Sequence, residues 1–284
     1  MPEAIPHMDY EMLARYEWFR RSFWGQSEQA WLIPIFHALV REHGCASCLF
    51  ACGALGRVAL AFAKQSPGTA LFAYLPSAYG AERMRELAKA EGVSCSFLFG
   101  NRAEIAGNLP HPVDCVFSPN WMSEPDWNVL KTYFESAFAA LNPGGILAFP
   151  APRPGGTWQR LLNKYDSWDD DALVWNYRDG AKECLCLRSK VKRADNYADI
   201  KYTFIAVNRD DSSVETTAKR LPAYWSWDIA KGLASDAGFC ECEACGLDQD
   251  GSGDGMSVVM VARKPGAKKA PSDGNGQLSA YADF

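Results

Sequence analysis

Leu49-Phe50-Ala51-Cys52-Gly53-Ala54-Leu55-Gly56-Arg57 passes from a short apolar run, through two glycines, into a stretch with helical spacing. The run Cys48 to Ala51 reads as a buried strand, and Arg57 to Gln65 as the helix that follows it. A turn between them aims helix N-terminal amides at whatever lies beyond the strand end, and Gly53 and Gly56 let backbone approach it closely. The same glycines also serve a plainer purpose, packing a helix tightly on a sheet. Outward from this turn the pattern alternates. Ala70 to Tyr74 reads as a strand, Ala81 to Glu91 as a helix stopped by Gly92, Ser94 to Phe99 as a strand and Val113 to Phe117 as another. Ser123, Pro125 and Asp126 start a helix that runs to Leu141, and Asn142-Pro143-Gly144-Gly145 forces a turn before the strand Ile146 to Phe149. Strand and helix in regular alternation imply an α/β fold, doubly wound, with a mainly parallel sheet and helices on both faces.

On the amino-terminal side, Tyr10, Leu13, Tyr16, Phe19 and Phe23 recur at helical spacing. A second apolar run, Trp31 to Val40, holds Pro34, which either starts that helix late or kinks it, and Gly44 ends it. After Pro150 the alternation is lost. Leu173 to Tyr177, Glu183 to Val191 and Ile200 to Val207 are extended stretches separated by turn-prone residues, which we read as an inserted antiparallel β-meander. The chain returns with a helix from Trp227 to Ala237, a stop at Gly238, a strand Phe239 to Ala244 and a last strand Ser257 to Ala262 that closes a hairpin. The expected division is a helical cap over 1–44, a core over 45–154 and 226–264, the insertion over 155–225, and a disordered tail over 265–284, too polar to join a core.

Composition excludes several classes of function. Acidic residues number 34 against 29 basic ones, and no Lys/Arg block exceeds the Lys268-Lys269 pair, so the electrostatic footprint of a nucleic-acid binder is missing. No run approaches the roughly 18 continuous apolar residues of a membrane span. Met1-Pro2-Glu3-Ala4-Ile5-Pro6 lacks the basic segment and apolar core of a secretion signal. The expectation is a soluble, cytoplasmic protein whose ten cysteines are reduced thiols.

Several segments, taken in order, resemble the class I S-adenosylmethionine-dependent methyltransferases of the small-molecule type. Ala51-Cys52-Gly53 is similar to the family's glycine turn, with one extra residue before Gly56. Tyr10-Glu11-Met12-Leu13-Ala14-Arg15-Tyr16 resembles the aromatic helix that covers the cofactor. Pro143-Gly144-Gly145 is similar to the turn into the fifth strand, Ala237-Gly238-Phe239 to the turn into the sixth, and Val258 to Lys264 to the antiparallel seventh. The resemblance implies a Rossmann-like, seven-stranded, mostly parallel sheet, with the insertion as a roof over the acceptor. It further implies S-adenosylmethionine as cofactor and a small molecule as the methyl acceptor. The cofactor contacts it implies fall on Tyr10, Tyr16, Ala51, Cys52, Gly53 and Gly56, then on Tyr74, Leu75, Asn101, Arg102, Ser118 and Asn120. Acceptor contacts fall on Trp121, Trp158, Trp175, Tyr177 and Tyr224. The chain departs from the family where acids are expected. Leu49 or Phe50 stands in the first strand and Tyr74 at the end of the second, where a carboxylate would accept hydrogen bonds from the ribose diol. Tyr74 is expected to replace part of that contact by stacking on the adenine or donating its hydroxyl. Asn101 stands where many members direct Asp toward the adenine.

Other readings of the same residues stay open. Ala51-x-Gly53-x-x-Gly56 fits a dinucleotide fingerprint without its first glycine, although Tyr74 stands where that fingerprint needs an acid. The missing acids also suit a binding or regulatory module that kept the fold and lost turnover. Cys45, Cys48 and Cys52, like Cys240, Cys242 and Cys245, are spaced largely as strand core, and His7, His37, His43 and His111 form no ligand spacing, so no metal is expected there. Asp248 to Asp254 copies the first half of a calcium loop, but the twelfth position is Val259, and an acidic hairpin turn is the better reading.

Overall fold

The computed structural model describes residues 14, 32–52, 55–119, 127–152, 172–179, 182–193, 198–208, 210, 213–222, 225–245 and 257–266, with backbone alone for most of 172–222. Helix α1, Leu32–Glu42, buries Leu32, Ile35, Phe36 and Leu39 at the three-four spacing of one helical face. Pro34 falls in its first turn, where no intrahelical N–H is needed, so the helix is neither delayed nor broken. Gly44, at φ 58°, turns the chain into β1, Ser47–Ala51.

Helix α2 (Arg57–Gln65), strand β2 (Ala70–Leu75), helix α3 (Ala78–Ala90) and strand β3 (Ser96–Phe99) follow. Helix α3 starts ahead of the expected Ala81 because the Ser77 hydroxyl accepts a hydrogen bond from Gly80 N at 2.9 Å and caps it. A 3-10 turn, Arg102–Glu104, leads into the short α4, Ile105–Asn108, and then β4, Val113–Phe117. Helix α5, Trp127–Ala140, runs straight into β5, Leu141–Pro152. The turn expected at Asn142-Pro143-Gly144-Gly145 is instead a bulge within β5, since the β4 register moves from Val113 opposite Leu141 to Cys115 opposite Ile146. A Cβ on Gly145 would stand 2.8 Å from the Asp114 carbonyl oxygen, so glycine lets the bulge close against β4.

The insertion holds four strands, β6 (Ala172–Asp179), β7 (Lys182–Arg193), β8 (Ala198–Asn208) and β9 (Ser213–Pro222), each antiparallel to the next. Three of them were expected from the sequence. Strand β9 was not, because Ser213-Val214-Glu215-Thr216-Thr217 offers no apolar run. Helix α6 (Trp227–Asp236), β10 (Glu241–Cys245) and β11 (Ser257–Arg263) complete the chain's main sheet.

That sheet has the order β10-β11-β5-β4-β1-β2-β3, with β11 antiparallel to both neighbours and the other pairs parallel. Strand parity sends side chains to two separate cores. Cys48, Phe50, Leu75, Phe97 and Phe117 pack under α1, α2 and α3, whereas Leu49, Tyr74, Val116 and Phe149 pack under α4, α5 and α6. In the first core Phe36 stacks on Phe117 at 4.3 Å between centroids, with Phe50 edge-on at 5.2 Å from Phe117. Full burial of each ring contributes about 2 to 3 kcal/mol, which fixes which face of the sheet each helix covers.

Candidate functional site

Strands β1 to β4 run in one direction, so their carboxyl ends form a common rim, the place where open α/β sheets bind ligands. Ala51 and Cys52, Tyr74 and Leu75, Phe99 to Asn101, and Phe117 and Ser118 stand at that rim. The topology also attaches the insertion there. Strand β5 runs parallel to β4 and ends at Pro152, and β10 runs parallel to β5 through the intervening antiparallel β11. Helix α6, which leads down to β10, therefore begins at the rim, next to Trp225.

Hydrogen bonds knit the strand ends to one another. Cys52 N donates to Tyr74 O at 2.9 Å, carrying the β1–β2 ladder one residue beyond β1. The buried Ser118 hydroxyl, at the end of β4, donates to Ala51 O at 3.3 Å. Gly53 lies outside the described residues. Gly56 has φ −73°, a value open to any residue, but a Cβ there would meet Phe97 at 3.2 Å and both Cys52 and Leu75 at 3.6 Å. Any larger residue would press on the Phe97 ring, so Gly56 lets α2 sit closely on the sheet, the plainer of its two expected purposes.

Tyr74 departs furthest from expectation. Its side chain is 0% exposed and lies in the core beneath α4 and α5. Its hydroxyl donates to Asn101 O at 3.0 Å and accepts from Asn108 Nδ2 at 2.9 Å. A Cβ on Gly100 would collide with that hydroxyl, so Gly100 and Tyr74 fit as a pair. Burial pushes the phenol above its ordinary range, the Asn108 hydrogen bond opposes the shift, and the charge of Glu104 adds to it. Where an adenine or ribose contact is expected, the ring is buried and the hydroxyl is hydrogen-bonded within the chain, so that the tyrosine ties the β3–α4 turn to the end of β2.

The other expected site residues divide by place. Ala51, Cys52 and Leu75 are buried in the two cores. Asn101 is exposed, but its Oδ1 accepts from Ala103 N at 3.0 Å and caps the 3-10 turn. Arg102 opens that turn. Trp175 and Tyr177 share one face of β6, paired with Cys186 and Cys184 of β7. Tyr10, Tyr16, Asn120, Trp121, Trp158 and Tyr224 lie outside the described residues, as do the calcium-like loop and the tail beyond Gly266.

Sequence reasoning missed one aromatic pair. Trp127, the first residue of α5 and 41% exposed, meets the buried Trp225 edge-on at 5.5 Å, so the return of the insertion is joined to the α5 start at the rim. The signal was a tryptophan at each of two helix starts. Cys48 and Cys115, paired across β1 and β4, bring their sulfurs to 2.9 Å within the core, and burial raises the Cys115 thiol well above its usual range. Among the described residues, no group of three His, Cys, Asp or Glu side chains is placed to hold a metal.

With this geometry in place, solved structures provide the comparison. The chain is similar to an S-adenosylmethionine-dependent methyltransferase from Clostridium acetobutylicum, at 9% identity and TM-score 0.63 over 90% of this chain and 100% of that one. It is also similar to the CcbJ methyltransferase from Streptomyces caelestis, at 17% identity and TM-score 0.61 over 87% of this chain and 95% of that one. A third likeness is to the sugar N-methyltransferase KedS8 from a Streptoalloteichus species, at 14% identity and TM-score 0.59 over 93% and 96%. No family model matches the chain, and no curated protein matches it in sequence. At these identities the likeness is one of architecture: the chain has the class I methyltransferase fold, with a seven-stranded sheet and an inserted antiparallel sheet. No helix among the described residues is long and apolar enough to cross a membrane.

Proposed function

We propose that this protein binds S-adenosylmethionine at the carboxyl rim of β1 to β4 and transfers its methyl group to a small-molecule acceptor held beneath the insertion. The observation that carries the reading is the joint placement of the β1–α2 turn, the β4 end and both attachments of the insertion on one rim, in a fold shared with methyltransferases of sugars and other small molecules. The cofactor, when bound, supplies an electrophilic methyl, so the protein's task is to align the acceptor at roughly 3 Å from it rather than to provide acid and base groups. Main chain at the ends of β1 and β3 would hold the cofactor, and Trp127, with Trp175 and Tyr177 of the insertion, would face the acceptor. The residues fit this cofactor in part. No carboxylate stands at the described ends of β1, β2 or β4, so the ribose diol has no acidic partner there.

The missing carboxylate favours a second reading, a binding module that kept the fold without turnover. Native mass spectrometry after incubation with S-adenosylmethionine tests the first. Retention of one equivalent, displaced by S-adenosylhomocysteine, is expected. Absence of a complex at millimolar ligand would sink the cofactor assignment and leave the binding module.

A further inference from the structure

The polar side chains at the end of β2 are already committed. Tyr74 carries its hydroxyl to Asn101 and Asn108, and Ser77, 0% exposed, caps α3 through Gly80 N. At the end of β3, Asn101 Oδ1 is held by Ala103 N. At the end of β4, Ser118 is held by Ala51 O. Among the described residues, the hydroxyls of Tyr74 and Ser77 at the end of β2 have thus become internal ties, and Gly100 leaves the space that lets Tyr74 do so.

We infer that this rim takes an adenosyl ligand without hydrogen bonds to its ribose diol, so that Tyr74 is a positioning residue for the β3–α4 turn and the site does not distinguish ribose from deoxyribose. The inference rests on the proposed cofactor reading. A carboxylate gripping the diol would contribute a factor of about ten to a hundred in affinity, and removing one hydroxyl from the ligand would forfeit much of it. Here that factor is absent, and binding depends on main-chain contacts and apolar burial.

The test is a calorimetric titration of the full chain with S-adenosylhomocysteine and with its 2′-deoxy counterpart. The two are expected to bind with the same affinity to within about threefold, well short of a charged hydrogen bond. A preference of about tenfold or more for the ribose ligand would overturn the inference while leaving the cofactor reading intact. Binding of neither would overturn both. Tyr74→Phe supplies the control for a hydroxyl that reaches the ligand. It keeps the ring and is expected to leave the ratio of the two affinities unchanged, and a changed ratio would mean that the hydroxyl meets the ribose after all.

Discussion

The two ends of the main sheet are built from different chemistry. At the amino-terminal end a buried carboxylate does the tying. Asp114 Oδ2 accepts from Ala46 N at 2.8 Å, Ser47 N at 3.1 Å and Ser47 Oγ at 3.2 Å, while Oδ1 accepts from Asn142 Nδ2 at 2.9 Å. Lys264 Nζ donates at 2.7 Å to both Phe138 O and Leu141 O, covering carbonyls on either side of the α5–β5 junction. At the carboxyl rim the described ties come from neutral groups, the hydroxyls of Tyr74, Ser77 and Ser118 and the amides of Asn101 and Asn108. Among the described residues, charge thus holds strands together at the amino-terminal end, and neutral groups hold the end proposed to take the ligand.

The sharpest way to break the contrast is at the lower end. Asp114→Ala leaves four donors without their acceptor and is expected to lower unfolding free energy by about 3 kcal/mol in urea denaturation. A loss under about 1 kcal/mol would mean that the carboxylate is not the tie. Ligand affinity of the folded fraction should be unaffected. A smaller effect is expected at the rim, where Gly100→Ala drives a methyl group into the Tyr74 hydroxyl at a cost of about 2 kcal/mol. Combining it with Tyr74→Phe should recover at least about 0.5 kcal/mol relative to the sum of the two single changes, and strict additivity would separate the two residues. Smallest is Tyr74→Phe alone. It removes one neutral hydroxyl whose partner Asn108 is exposed and can turn to water, so about 1 kcal/mol is expected from the same denaturation experiment.

The alternation from Cys48 to Phe149 was legible because each strand is a short apolar run, and three of the six helices among the described residues, α1, α3 and α6, end at glycines with positive φ, Gly44, Gly92 and Gly238. The bulge at Asn142 to Gly145 was not, because a bulge and a turn use the same residues and differ in whether the flanking strands keep pairing. Strand β9 escaped because its threonines and charges carry no period-two apolar signal. The rim residues were found by position, but their roles were not. A tyrosine at a strand end reads alike whether its hydroxyl meets a ligand or the next turn, and that choice depends on Asn101 and Asn108, more than twenty-five residues away in sequence.

Hydrogen exchange of the full chain, with and without S-adenosylhomocysteine at millimolar concentration, tests the central claim most directly. The rim account predicts slowed exchange in peptides covering residues 51–57 and 98–108, and none around Asp114, Ser47 and Asn142 at the opposite end. Unchanged exchange throughout, or slowing confined to that opposite end, would contradict it.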